Sequence, residues 1–113
     1  MADIEHPKII AKDLEHLMRL ISETIQKEGP NCDLNFIDVS HVTNMSHLFW
    51  KSRFNGDISQ WDVSSVTDMS WMFWKSQFRG DISLWNVPGD ANMKLMFYGS
   101  PLELENRIPE WCK

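Results

Sequence analysis

The sequence predicts an α/β fold, a short solenoid of three 24-residue strand–helix units behind an N-terminal capping helix. Three observations predict it. First, "FNGDISQWDVSSVTDMSWMFWKSQF", residues 54–78, has a counterpart 24 residues upstream, "DLNFIDVSHVTNMSHLFWKSRF", and another downstream, "FRGDISLWNVPGDANMKLMFYGSPL". Second, each copy changes pattern midway, from β-branched and aromatic residues to apolar residues at helical spacing. Third, the residues ahead of the copies show one amphipathic helical pattern and no repeat. A fixed period of about 20 to 50 residues marks units that cannot bury their apolar faces alone and must stack on their neighbours. Repetition is then the means by which the core is built.

Residues 1–30 are read as a strand and a capping helix. Ile9 and Ile10 suit a short strand. From Leu14 the apolar positions Leu14, Leu17, Met18, Leu20, Ile21 and Ile25 keep helical spacing, with Glu15, Arg19, Glu23 and Lys27 largely between them. Asp13 is placed to cap the first free amides, and Gly29-Pro30 stops the helix because proline cannot continue the ladder. The helix Leu14 to Lys27 is expected to lie across the first unit and cover its apolar end.

Residues 31–102 are read as the three-unit solenoid. Aligned at the 24-residue offset, the columns are chemically consistent: Asp33/Asp57/Asp81, Leu34/Ile58/Ile82, Ile37/Trp61/Trp85, Val39/Val63/Val87, Met45/Met69/Met93, Phe49/Phe73/Phe97, Trp50/Trp74/Tyr98 and Phe54/Phe78/Leu102. Within a unit, "GDISQWDVS" follows a glycine turn with strand-forming residues. "VTDMSWMF" carries Val66, Met69 and Phe73 at helical spacing behind Ser64, Ser65 and Thr67 as caps. The expected result is a small parallel sheet on one side and helices on the other. Residues 103–113 are read as a C-terminal cap, with Ile108 and Trp111 folded back over the far end.

A chain of 113 residues with 42% hydrophobic and 24% charged content fits one domain. Its formal net charge of -5 favours cationic partners and argues against direct binding of nucleic acid. No apolar run approaches the ~18 to 20 residues of a membrane span, and "MADIEHPK" lacks the basic-then-apolar order of a secretory leader. The expected location is cytoplasmic. Cys32 and Cys112 form no CxxC pair and have no histidine at ligand spacing, so reduced thiols are expected.

The stretch "FNGDISQWDVSSVTDMSWMF" resembles the repeat of BspA-like leucine-rich-repeat proteins of bacteria, over about residues 31–102. The resemblance implies a leucine-rich-repeat-like solenoid and a role in adhesion or protein binding.

Catalytic and cofactor chemistry are not expected. His41, Asp38 and Ser40 could be imagined as a catalytic set, but His6, His16, His41 and His47 do not recur in the repeat and read as ordinary surface histidines. No Walker loop, GxSxG turn or HExxH helix is present. The column Asp33/Asp57/Asp81 invites a calcium reading, yet one carboxylate per unit falls short of the six or so oxygens calcium takes. A turn role, with the carboxylate accepting neighbouring amides, is preferred for it and for Asp38/Asp62/Asn86.

The adjacent aromatics Phe49-Trp50, Phe73-Trp74 and Phe97-Tyr98 do not both point equally into one core. Phe is the better core residue, because Trp and Tyr carry a polar group that prefers water or a partner. Trp50, Trp74 and Tyr98, with Trp71 nearby and Lys51 and Lys75 beside them, are therefore the candidate partner-binding strip. The sheet face bearing Ser59, Gln60, Ser83 and Leu84 is a second candidate. The function expected is a non-catalytic protein-binding module of bacterial or mobile-element origin. The alternative is a small acidic inhibitor or immunity-type protein that blocks a basic, nucleic-acid-handling enzyme through Asp38, Asp57, Asp62 and Asp81. Homodimerisation is compatible with both.

Overall fold

The computed structural model of the chain describes residues 6–112. Residues 1–5, the start of the stretch read above for a secretory leader, and Lys113 lie outside the described residues. Strand β1, Ile9–Ile10, leads into helix α1, Leu14–Glu28. Strand β2 is Ile37–Asp38, helix α2 is Pro101–Leu104, and a single 3-10 turn spans Glu110–Cys112.

Helix α1 starts and stops where local chemistry dictates. The Asp13 carboxylate accepts from the amide of His16, and Gly29 takes φ 90 as its N–H donates to the carbonyl of Ile25. Leu17, Ile21 and Thr24 form its buried face. Strands β1 and β2 run parallel, with Ile9 opposite Ile37 and Ile10 opposite Asp38.

The predicted solenoid of three strand–helix units does not form. Among the described residues there are two short strands and one main helix, and the molecule is a small globule of 39 × 28 × 22 Å. No parallel sheet runs along the copies; their bridges are the isolated pairs Asp33–Asp57, Asn44–Asp68 and Asp68–Asn92. The reason lies in the turns. In "VTDMSWMFWKS" the amides of Met72, Trp74 and Ser76 each donate to a carbonyl three residues back, and the first copy repeats this at Leu48, Trp50 and Ser52. An α-helix needs donors to reach four residues back. His47, Lys51, Trp71, Lys75 and Leu95 all adopt positive φ, between 50 and 62, so a left-handed residue interrupts each attempt at a helix. "GDISQWDVS" likewise folds rather than extends. The carboxylates of Asp57 and Asp62 accept from the amides of Ser59 and Ser64, and the backbone amide of Trp61 closes a turn on the Ile58 carbonyl.

The copies nevertheless lie beside one another in register. Phe73 stacks between Phe49 and Phe97 at centroid distances of 5.5 and 5.4 Å, Phe54 on Phe78 at 6.0 Å, and Trp61 on Trp85 at 6.3 Å. Alternate amides donate sideways into the next copy. Met45, His47, Phe49 and Lys51 donate to the carbonyls of Asp68, Ser70, Met72 and Trp74; Met69, Trp71, Phe73 and Lys75 donate to those of Asn92, Lys94, Met96 and Tyr98. This close approach explains Gly56, where a Cβ would stand 1.8 Å from the Cys32 carbonyl oxygen.

Both ends of the stack are partly covered. At the first copy, β1 pairs with β2, and α1 sends Leu17 and Ile21 into the core. At the third, Trp111 stacks on Trp85 at 6.1 Å and donates its indole N–H to the Ile82 carbonyl, while Ile108 packs against the core.

Candidate functional site: an aromatic strip

The six tryptophans divide into two chemical groups. Trp61, Trp85 and Trp111 pack in or against the core, and each donates its indole N–H to a backbone carbonyl, of Leu34, Ile58 and Ile82 respectively. Trp50, Trp71 and Trp74 make no such bond among the described residues. No buried side-chain nitrogen or oxygen of the half-buried residues there is left without a partner, so the indole N–H groups of Trp71 and Trp74 meet solvent, and Trp50 is itself exposed.

Neighbouring positions in each copy separate core from strip. Phe49, Phe73 and Phe97 are buried, whereas Trp50 is 42% exposed, Tyr98 48% exposed and Trp74 half-buried. Trp74 stacks between Trp50 at 5.6 Å and Tyr98 at 6.0 Å. Trp71 leans on Trp74 at 5.5 Å and stacks on His47 at 5.7 Å. The ammonium groups of Lys51 and Lys75 lie over the rings, Lys51 4.8 Å from the centroid of Trp50 and Lys75 4.9 Å from that of Trp74. The six residues named from the sequence are thus brought together. The strip presents ring edges, indole N–H groups and two cations, because the faces of Trp74 are taken by its neighbours.

The left-handed turns set this geometry. Lys51 and Lys75, at φ 53 and 50, turn the chain directly after Trp50 and Trp74. Trp71, at φ 62, turns it again directly after Ser70, whose amide and hydroxyl are held by the Asp68 carboxylate.

The acidic residues are distributed differently. Asp57, Asp62 and Asp81 are exposed and Asp38 is half-buried. Each directs Oδ1 at the hydroxyl and amide of the serine two residues on: Ser40, Ser59, Ser64 and Ser83. These bonds, the hydroxyl's foremost, hold the carboxyls of Asp38, Asp62 and Asp81 below the usual range; for Asp57 the side chain of Asn35 contributes most, ahead of Ser59. Among the described residues, no group of three or more His, Cys, Asp or Glu could hold a metal ion. Ser59 and Ser83 sit in turns, so the sheet face expected to carry them with Gln60 and Leu84 is not formed. Cys32 and Cys112 are free thiols, and burial pushes both thiol pKa values up.

One column is missing from the sequence reading. Asn44, Asp68 and Asn92 occupy equivalent positions, and each side-chain oxygen accepts the amide two residues on, while their backbones bridge the copies. Asn or Asp recurring at the repeat period is the signal that points to it. His47 is more than an ordinary surface histidine, because it heads the Trp71 column.

Among the described residues, no helix is long and apolar enough to cross a membrane. The model of a family described as "Mycoplasma protein of unknown function, DUF285" matches residues 16–112. No curated protein and no solved structure matches the chain.

Proposed function

We propose that this chain, which belongs to the Mycoplasma family of unknown function just described, is a non-catalytic module that binds a partner protein through Trp50, Trp71, Trp74 and Tyr98, flanked by Lys51 and Lys75. The observation that carries this reading is the contrast between the tryptophans. Three satisfy their N–H groups within the chain; three on one strip make no such bond among the described residues, Trp71 and Trp74 with the N–H open to solvent and Trp50 exposed. Aromatic anchors dominate binding energy once a partner desolvates them, and an open indole N–H gives the contact direction. The resemblance to BspA-like repeats supports the same class.

Two further features support binding over catalysis. The Asp38 carboxylate takes its hydrogen bonds from the amide and hydroxyl of Ser40, and His41 acts on it through charge alone among the described residues. His41 is exposed.

The test is affinity purification from the native host, with the wild-type chain and Trp74→Ala compared at low salt and at roughly 1 M salt, where the Debye length is only ~3 Å. A partner retained in high salt, and weakened by about 2 kcal/mol or more in Trp74→Ala, is expected. Capture that ignores Trp74 but disappears with salt, and with the exchange of Asp57, Asp62 and Asp81 for Asn, would replace this reading with the acidic-inhibitor one.

A further inference from the structure

The sideways ladder between copies has two unfinished ends, and they are complementary. From Met45 to Lys51 and from Met69 to Lys75 the rungs join an amide of one copy to a carbonyl of the next, while Thr67, Gln77 and Asn92 donate the other way, to Thr43, Ser52 and Thr67. The first copy has no predecessor, and the carbonyls of Asn44, Ser46, Leu48 and Trp50 accept no hydrogen bond among the described residues. Helix α1 lies beside this edge, lining one groove with Asn44 and another with Leu48, and Leu48 itself is buried in the core that α1 shares. The third copy has no successor, and the amides of Met93, Leu95 and Phe97 donate no hydrogen bond among the described residues. One edge is a row of acceptors and the other a row of donors, on a backbone path that mates twice within the chain.

The next position of the third copy is closed by the chain itself. Gly99, which stands where Lys75 donates in the second copy, gives its N–H to the carboxylate of Glu103. Closure reaches back to residue 99; the three amides before it have no acceptor among the described residues, with Leu95 exposed, Met93 half-buried and Phe97 buried against Trp111 at 6.2 Å.

The side chains around the two edges also match. At the acceptor edge Asn44, His47 and Trp50 are exposed; at the donor edge Asn92, Lys94, Leu95 and Tyr98 are exposed, with Leu95 at 42%. These belong to columns that already pack within the chain: Trp50 on Trp74 on Tyr98, and His47 on Trp71, whose equivalent in the third copy is Leu95.

We propose that the donor edge at Met93, Leu95 and Phe97 docks, head to tail, on the acceptor edge at Asn44, Ser46, Leu48 and Trp50 of a second copy of this chain. The second chain continues the register that the copies keep inside the first. Tyr98 of one chain then covers Trp50 of the next, and Leu95 covers His47. The interface is heterologous, so the outermost edges of any assembly stay open and it lengthens with concentration. An unpaired ladder edge is a template for just such pairing unless charge or proline blocks it; Leu95 supplies neither, and the charge on this edge is that of Lys94 beside it.

Sedimentation velocity of the full chain, from low micromolar to near-millimolar concentration, tests this with two blocking variants. Leu95→Lys places an ammonium on the donor edge, and His47→Lys places one on the acceptor edge opposite Leu95. Both sites are left-handed, and Lys51 and Lys75 already hold that conformation in this chain. Wild type is expected to form species beyond the monomer, and each variant alone to weaken association roughly tenfold or more. Mixed, the two variants are expected to recover a one-to-one dimer, because the His47→Lys chain keeps its donor edge and the Leu95→Lys chain its acceptor edge. A monomeric wild type, or variants that associate as well as wild type, would overturn the proposal, and so would a mixture that stays monomeric, the mark of a symmetric interface. Thermal melts establish that each variant is folded; Leu95→Asn, a milder change at a left-handed position, stands in if Leu95→Lys does not melt cooperatively.

Discussion

Phe73 and Trp74 are neighbours in sequence that occupy different solvents. Phe73 has no exposed surface and touches Phe49, Phe78, Trp85 and Phe97, while Trp74 is half-buried with its indole N–H in water. Phe73→Ala should therefore cost roughly 3 to 5 kcal/mol, a large share of the stability of so small a domain. Trp74→Ala loses stacking with Trp50 and Tyr98 but opens no enclosed cavity, and should cost about 1 kcal/mol. Urea unfolding of both variants checks this, and equal costs would place Trp74 in the core. The division is legible in the sequence because adjacent residues cannot share one direction and because an indole carries a donor that phenyl lacks. The Asn44/Asp68/Asn92 column is not legible in the same way. Its side chains act on the backbone, and nothing in their polarity says that the same residues bridge one copy to the next.

Elements are legible where a boundary is written in local chemistry. Asp13 and Gly29 mark helix α1 on both sides, and the structure ends it one residue beyond Lys27. The repeat units mislead because apolar spacing of three and four residues fits a chain of successive turns as well as a helix. Val66, Met69 and Phe73 all reach the core, yet Trp71 and Lys75 are left-handed between and behind them. Apolar periodicity reports which side chains point inward, not the sign of φ at the residues between. The C-terminal turn shows how an element can substitute for a missing copy. Trp85 donates to Ile58 and stacks on Trp61; Trp111 donates to Ile82 and stacks on Trp85. Trp111→Phe keeps a ring but leaves the Ile82 carbonyl without its donor, a loss of about 1 kcal/mol. Trp111→Ala removes the ring as well and should cost roughly 3 kcal/mol. Chemical denaturation of the pair decides the point, and a Trp111→Ala variant within about 0.5 kcal/mol of wild type would show that the terminal turn does not cover the stack.

Across the whole molecule, the repeated Asx turn makes stability a function of acid. Asp38, Asp57, Asp62 and Asp81 each accept from a serine amide and hydroxyl through the same oxygen, and all four carboxyls are held below their ordinary range. A depressed folded-state pKa means that the unfolded chain binds protons first as pH falls. The contribution is therefore complete above the unfolded carboxylate value of about 3.9, and it disappears as pH drops through the folded values below it. Melting temperature should stay nearly level from neutrality to about pH 5 and fall steeply below about pH 4. The chain also contains its own control. Asn44 and Asn92 close the same turn as Asp68 with an amide oxygen that does not titrate in this range. Replacing Asp38, Asp57, Asp62 and Asp81 together by Asn should keep the turns and flatten much of the acid limb, with the melt at neutral pH lowered because the charged acceptors are gone. Thermal melts of wild type and this variant between pH 7 and pH 2.5, about a unit and a half below the ordinary carboxylate value, measure it. An unchanged acid limb would mean that the carboxylates are no better stabilised folded than unfolded, and that acid acts on the molecule through other groups.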